Sequence, residues 1–158
     1  MNAMLLKLPR LLRSTPLRSF IVYPILVIGF ETVRREGFEV QGPYFLPLLP
    51  WGYLEYRLVG DYRRRHHAGS RRLGEVPQRL LQSGPFRFTR NPMYLGHLIF
   101  MLGLAISFWS LLGAGIFLAN VVWFHRRVLR DEALIGARFG PEYDEYRRRV
   151  KRWIPFVV

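Results

Sequence analysis

Two polar clusters in this chain carry residue types that do chemistry. The first, Ser83-Gly-Pro-Phe-Arg-Phe-Thr-Arg-Asn-Pro-Met-Tyr-Leu-Gly96, concentrates Arg87, Arg90, Asn91 and Tyr94 where a helix is predicted to start at Pro92. Proline suits the first helical position, whose N–H has no partner within the helix. The exposed N–H groups and positive dipole end of such a terminus favour a carboxylate or other anion. Gly96 lets a flat ligand or a neighbouring backbone approach the helix closely. The second cluster is Arg126-Arg127-Val-Leu-Arg-Asp-Glu132, two adjacent carboxylates among cations. A plainer reading stands beside both. Arg and Tyr at helix ends serve as interfacial anchors, and Asp or Glu beside Arg often lies on a solvated face.

The histidines and the missing cysteines narrow the chemistry. His97, one turn inside the predicted helix, is a possible base, as is His125; both read equally as packed or interfacial side chains. A His97/His125 metal pair would need further ligands, so no metal is expected. His66-His67 sits in an arginine run and reads as a solvated loop. With no cysteine, thiolate catalysis and Cys-ligated metals are excluded.

The elements that must position these clusters are set by hydropathy. The 158 residues allow one domain. From Asn91 to His125 there are 35 residues without Asp, Glu, Lys or Arg. One transmembrane helix needs about 20 apolar residues. Thirty-five fits a helical hairpin, with Trp109-Ser-Leu-Leu-Gly-Ala-Gly115 as the turn, Trp109 at the interface and the glycines allowing reversal. A soluble hairpin would show a polar stripe at helical period, and none is present. In such a hairpin Arg90 and Asp131 or Glu132 lie side by side despite forty intervening residues. Leu17–Val33 reads as a first span, and the proline-broken run 42–54 as a second. Residues 1–16 form a basic, Leu-rich interfacial lead. After the fourth span the helix continues past Leu129, Ala133, Leu134 and Ala137, and Gly140-Pro141 stops it. Pro141 opens a last short helix with Tyr143, Tyr146 and Val150 on one face. The expected class is therefore all-α: a polytopic membrane bundle of about four spans with a cytoplasmic C-terminal helical extension.

The net charge of +13 follows the same plan. Lys7, Arg10, Arg13 and Arg18 precede the first span. The loop Glu31–Gly42 holds three Glu against two Arg. The next connector carries Arg57, Arg63, Arg64, Arg65, Arg71 and Arg72, and nine Lys or Arg follow His125. Basic and non-basic loops alternate, as the positive-inside rule requires for four spans with both termini cytoplasmic. This accounts for the charge through membrane lipid headgroups and without nucleic acid. A bacterial inner or plasma membrane is the expected location.

The ordered set Gly84-Pro-Phe-Arg-Phe-Thr-Arg-Asn-Pro-Met-Tyr-Leu-Gly96, two spans, Asp131-Glu132, Phe139-Gly-Pro-Glu-Tyr-Asp-Glu-Tyr146 and Trp153-Ile-Pro155 resembles the isoprenylcysteine carboxyl methyltransferase family, whose wider kin are the phospholipid methyltransferases. The match covers about residues 73–156. The resemblance implies an S-adenosylmethionine site at the cytoplasmic mouth of the last two spans. Leu80, Leu81 and Phe86 match positions lining the adenosine pocket, with Gln78 more loosely placed. Asn91, Pro92, Met93 and Tyr94, with Arg90 before them and Gly96 after, match the segment around the cofactor. Asp131 and Glu132 match its paired-Glu motif, and Arg127 matches an arginine that holds a substrate carboxylate. Asn91 stands where the family usually has histidine, keeping a donor and an acceptor. Asp131 replaces a glutamate and shortens the reach by one methylene.

Length, hydropathy and charge together give a single membrane domain over 1–158: an interfacial segment 1–16, two spans in 17–59, a cytoplasmic connector 60–90, a hairpin 91–126 and a tail 127–158, which the resemblance makes cofactor-binding. The implied activity is transfer of a methyl group to a lipophilic or lipidated acceptor, in first place a carboxylate. That reaction annihilates two charges and needs alignment and desolvation rather than a base. A phospholipid amine or a small thiol is an alternative acceptor. Two other classes compete: a nicotinamide-dependent membrane reductase, and a membrane scaffold whose polar clusters are only anchors.

Overall fold

The computed structural model describes residues 14–70 and 72–153, and every regular element among them is helical. The interfacial lead expected over 1–16 thus lies almost wholly outside the described residues, as does Ile154-Pro155. Helix α1 spans Thr15–Arg34 and includes a π-helical stretch, Arg18–Val22. After a 3-10 turn at Pro43–Phe45, α2 spans Leu48–Arg65. Helix α3 covers Pro92–Ser107, α4 Leu111–Phe139 and α5 Pro141–Arg149. The all-α class follows.

Among the described residues α1 alone is long and apolar enough to cross a membrane by itself; α3 is apolar but has 16 residues. The run 42–54, read from the sequence as a second span, is divided between the 3-10 turn Pro43–Phe45 and the start of α2, whose later part carries Glu55, Arg57, Asp61 and Arg63–Arg65. Helix α3 begins at Pro92, as the missing N–H of proline favours. Helix α4 runs unbroken through Arg126 to Phe139 and ends at Gly140, whose φ of +53° is easy for glycine.

The chain forms two compact units. The first is built from Met1–Tyr53 and His97–Ala119. Its core is Val27, Leu104 and Phe108, with Tyr23, Leu49 and Ile116 packed around them. Buried Glu31 accepts from Arg34 at 2.6 Å and Arg35 at 3.1 Å, and Arg35 also donates to the Phe108 carbonyl. Glu31 of the acidic loop is thus paired internally, while Glu36 and Glu39 are exposed. The reversal between α3 and α4 is tighter than the glycines led one to expect. Trp109 itself takes the positive φ, +44°, and the Ser110 hydroxyl accepts from the Gly113 N–H at 3.0 Å. Gly113 lies inside α4, where a Cβ would meet the Ala105 Cα at 3.0 Å. Glycine here serves close helix approach, and the turn is made by its neighbours.

The second unit is built from Leu54–Gly96 and Asn120–Val158. Its interior holds Tyr56, Val59, Met93, Tyr94, Phe124, Val128, Tyr143 and Tyr146. Both polar clusters singled out above fall in this unit.

Candidate functional site: an acidic cavity in the second unit

The site is built around the start of α3. Arg90 N–H donates to the Lys151 carbonyl at 3.0 Å, and the Thr89 hydroxyl donates to the Arg152 carbonyl at 2.9 Å. The entry to α3 is therefore laced to the C-terminal tail. Glu132, on α4, ties both to a third element. Its Oε2 accepts from Arg152 Nε and Nη2 at 3.1 and 3.0 Å and from Arg90 Nη2 at 3.3 Å. Its Oε1 accepts from Asn91 Nδ2 at 3.1 Å. Arg90 Nε also lies 3.2 Å from Oε1, close in distance but poorly aligned for a hydrogen bond. Glu132 and Arg90 side chains are each only 10% exposed. Such an arrangement is strong because both charges are paired and bonded in a place where neither could stand alone.

Asp131 is placed differently. Adjacent helix residues point about 100° apart, and this one faces the cavity. The Tyr94 hydroxyl donates to its Oδ2 at 2.7 Å. Among the described residues it forms no ion pair. The carboxylate is oriented but not neutralised.

These groups border a cavity enclosing about 680 Å³, including space open to solvent. Leu80, Leu81, Phe86, Arg90, Asn91, Pro92, Met93, Tyr94, Asp131 and Glu132 all line it. The other residues named from the sequence do not. Gly96 is buried farther along α3. His97 belongs to the first unit, where its ring stacks on Phe20 with centroids 4.5 Å apart. Gln78 is exposed, its N–H donating to the Ala68 carbonyl. Arg127 stands outside the lining: its Nη2 donates to the Leu73 carbonyl at 3.0 Å and its guanidinium lies 5.4 Å from the Trp123 ring centre.

Several lining residues were not legible as such. Ile135 and the tyrosines of α5 complete one side. Opposite, Leu73, Gly74, Glu75 and Pro77 bring in the connector. Arg63 organises it. Only 8% exposed, it donates to the carbonyls of Arg72 and Glu75, each at 3.2 Å, and approaches Met93 Sδ at 3.6 Å. Nothing in the run Arg63-Arg64-Arg65 distinguishes the buried member from its solvated neighbours. The single usable signal is its position on the apolar face of α2, four residues after Val59.

Glu75 locks the connector from within. Its Oε2 accepts from both the hydroxyl and the N–H of Ser70. The Ser70 hydroxyl bond, aided by that N–H and by Arg63 and Arg72, holds its carboxyl below the usual carboxylate range despite burial. A depressed folded-state pKa contributes stability that is present above the unfolded value near 4.5 and lost as pH falls through the lower folded value. We therefore expect the connector to become protease-sensitive as pH drops below about 4.5. Glu75→Gln should be more sensitive than wild type at neutral pH and show little further change on acidification. Equal pH dependence in the two proteins would contradict this.

Comparison with known proteins adds the following. The family model for phospholipid methyltransferase matches residues 68–141. Protein-S-isoprenylcysteine O-methyltransferases A and B of Arabidopsis thaliana are 29% and 34% identical over 135 residues, covering 84% of this chain and 57% of each relative. The protein-S-isoprenylcysteine O-methyltransferase of Schizosaccharomyces pombe is 30% identical over 80 residues, 49% of this chain and 34% of the relative. The chain thus spans about half the length of the curated relatives it matches. No solved structure matches it significantly.

Proposed function

We propose that this chain, which belongs to the isoprenylcysteine carboxyl methyltransferase family, transfers a methyl group from S-adenosylmethionine to a lipophilic acceptor at a membrane. The observation that carries the reading is Asp131, an anion oriented by Tyr94 at a partly apolar cavity, with Arg63 acting on it through space and no ion pair to it among the described residues. The described residues fit the donor: a carboxylate for its cationic half, and Leu80, Leu81, Phe86 and Ile135 for a flat base. The donor, when bound, supplies a methyl group activated by a sulfonium charge.

The protein's part is positioning and dehydration. Tyr94 fixes the rotamer of Asp131. Arg90 and Arg152 pair with Glu132 and Asn91 hydrogen-bonds it, so Asp131 is the carboxylate left to meet a cationic ligand. Arg63, Glu75 and Arg127 hold the connector as one wall, which keeps water from the reacting atoms. A carboxylate acceptor then needs no base. If Arg127 orients it, the guanidinium uses the N–H groups not spent on Leu73. Leu80, Leu81, Phe86, Arg90, Asn91, Pro92, Met93, Tyr94, Asp131 and Glu132 form the proposed cofactor site, with Gly96 as spacing behind it.

A single membrane domain with four spans and both termini on the cytoplasmic side of a bacterial inner or plasma membrane belongs to the same proposal. It is supported by the 35-residue uncharged stretch, the basic connectors and the exposed apolar side chains Ile25, Leu58, Leu118 and Val122. The phospholipid methyltransferase match favours a second acceptor, a lipid amine. Such an acceptor must lose a proton, and His97 lies outside the cavity lining. Membranes containing the chain, incubated with radiolabelled methyl donor, should incorporate label into the lipid-extractable fraction. Base-labile label indicates an ester and base-stable label an amine; no label above vector control would sink the enzyme reading.

A further inference from the structure

Tyr143 and Tyr146 lie nearly one turn apart on α5 and are equally buried, each 3% exposed. Their hydroxyls meet different fates. Tyr146 donates to the Phe86 carbonyl at 2.6 Å, tying α5 to the cavity wall that carries Leu80, Leu81 and Phe86. The Tyr143 hydroxyl is fully buried and hydrogen-bonded to no described residue, although its ring lines the same cavity. Its ring is buried and lies over Gly136. Phenylalanine would fill the same space. A buried hydroxyl left without a partner is a net cost to the folded protein, and native structures rarely keep one without use.

We infer that the Tyr143 hydroxyl is a ligand-binding donor, hydrogen-bonding the neutral adenosine end of the methyl donor. The inference rests on the proposed function and deepens it. A neutral hydroxyl suits an acceptor such as a ring nitrogen or ribose oxygen, whereas Asp131 suits the cationic half. Burial and the nearby Glu132 carboxylate push the Tyr143 phenol up to about 12, so it stays protonated across physiological pH. Tyr143 lines the cavity together with Leu80, Leu81 and Phe86, and Tyr146 on the same helix is tied to Phe86.

The test compares wild type, Tyr143→Phe and Tyr146→Phe, purified in detergent, by melting without ligand and by calorimetric titration. The probes are S-adenosylhomocysteine and methylthioadenosine, which keeps the adenosine and lacks the amino-acid half. Tyr143→Phe should melt at or above wild type, yet bind both probes about fivefold more weakly. Tyr146→Phe should melt lower, because it loses a bond the fold uses. The inference is overturned if Tyr143→Phe binds as wild type does or melts lower with unchanged affinity. It is also overturned if only S-adenosylhomocysteine binding weakens, which would move the contact to the amino-acid half. Failure of wild type to bind either probe would overturn the proposed function as well, and so separates the two.

Discussion

Asp131→Asn should weaken binding of S-adenosylmethionine by about 100-fold while leaving the fold intact. The asparagine oxygen still accepts from Tyr94, so the 2.7 Å contact survives in altered form and the cavity keeps its shape. What disappears is the formal charge. Hydrogen bonds to charged groups contribute about 1.5–3 kcal/mol, equivalent to roughly 10- to 150-fold in affinity. The upper part of that range applies because apolar walls around the carboxylate reduce screening. The loss should be larger for S-adenosylmethionine than for its demethylated product, which lacks the sulfonium. Calorimetric titration of both ligands checks this, and equal affinities in wild type and variant would remove Asp131 from the site.

Glu132→Ala should have the opposite profile, a large loss of stability. Although adjacent in sequence, Glu132 faces Arg90, Asn91 and Arg152 and joins α4, the start of α3 and the C-terminal tail. Removing it strands Arg90, whose side chain is 10% exposed, without its counter-ion. Breaking a buried ion pair from one side costs about 3–5 kcal/mol. For a chain of this size that corresponds to a fall of about ten degrees in melting temperature. Thermal unfolding in detergent measures it. A variant melting within a degree of wild type would mean the three-donor hub is not holding these segments together.

The contrast between the two acids shows where sequence reasoning reaches and where it stops. That Tyr94 and Asp131 meet was legible, because a long uncharged stretch with polar ends makes an antiparallel pair and returns Asp131 to the level of Tyr94. Both adjacent carboxylates line the cavity, but which is taken up by arginines and which by Tyr94 was not legible. It depends on contacts such as that of Arg152 in the tail, which carries no periodic signal. The connector was opaque for a related reason. Its shape comes from Arg63 reaching backbone carbonyls at residues 72 and 75, and carbonyls leave no trace in composition. Within the expected turn Trp109–Gly115 it is Trp109 and not a glycine that bears the positive φ, while Gly113 lies in α4 against Ala105. Arg127, matched by resemblance to a substrate arginine, is engaged with Leu73 and lies off the cavity lining. Pro92 and Gly140, by contrast, act locally, and their effects on helix ends could be read directly.

A structure determined with saturating S-adenosylhomocysteine is the most direct test of the central idea, that the second unit's cavity receives a methyl donor. The ligand should be found with its amino-acid half at Asp131 and Tyr94 and its base against Leu80, Leu81 and Phe86. A ligand bound elsewhere on the protein, or a cavity left without it at saturation, would contradict the account.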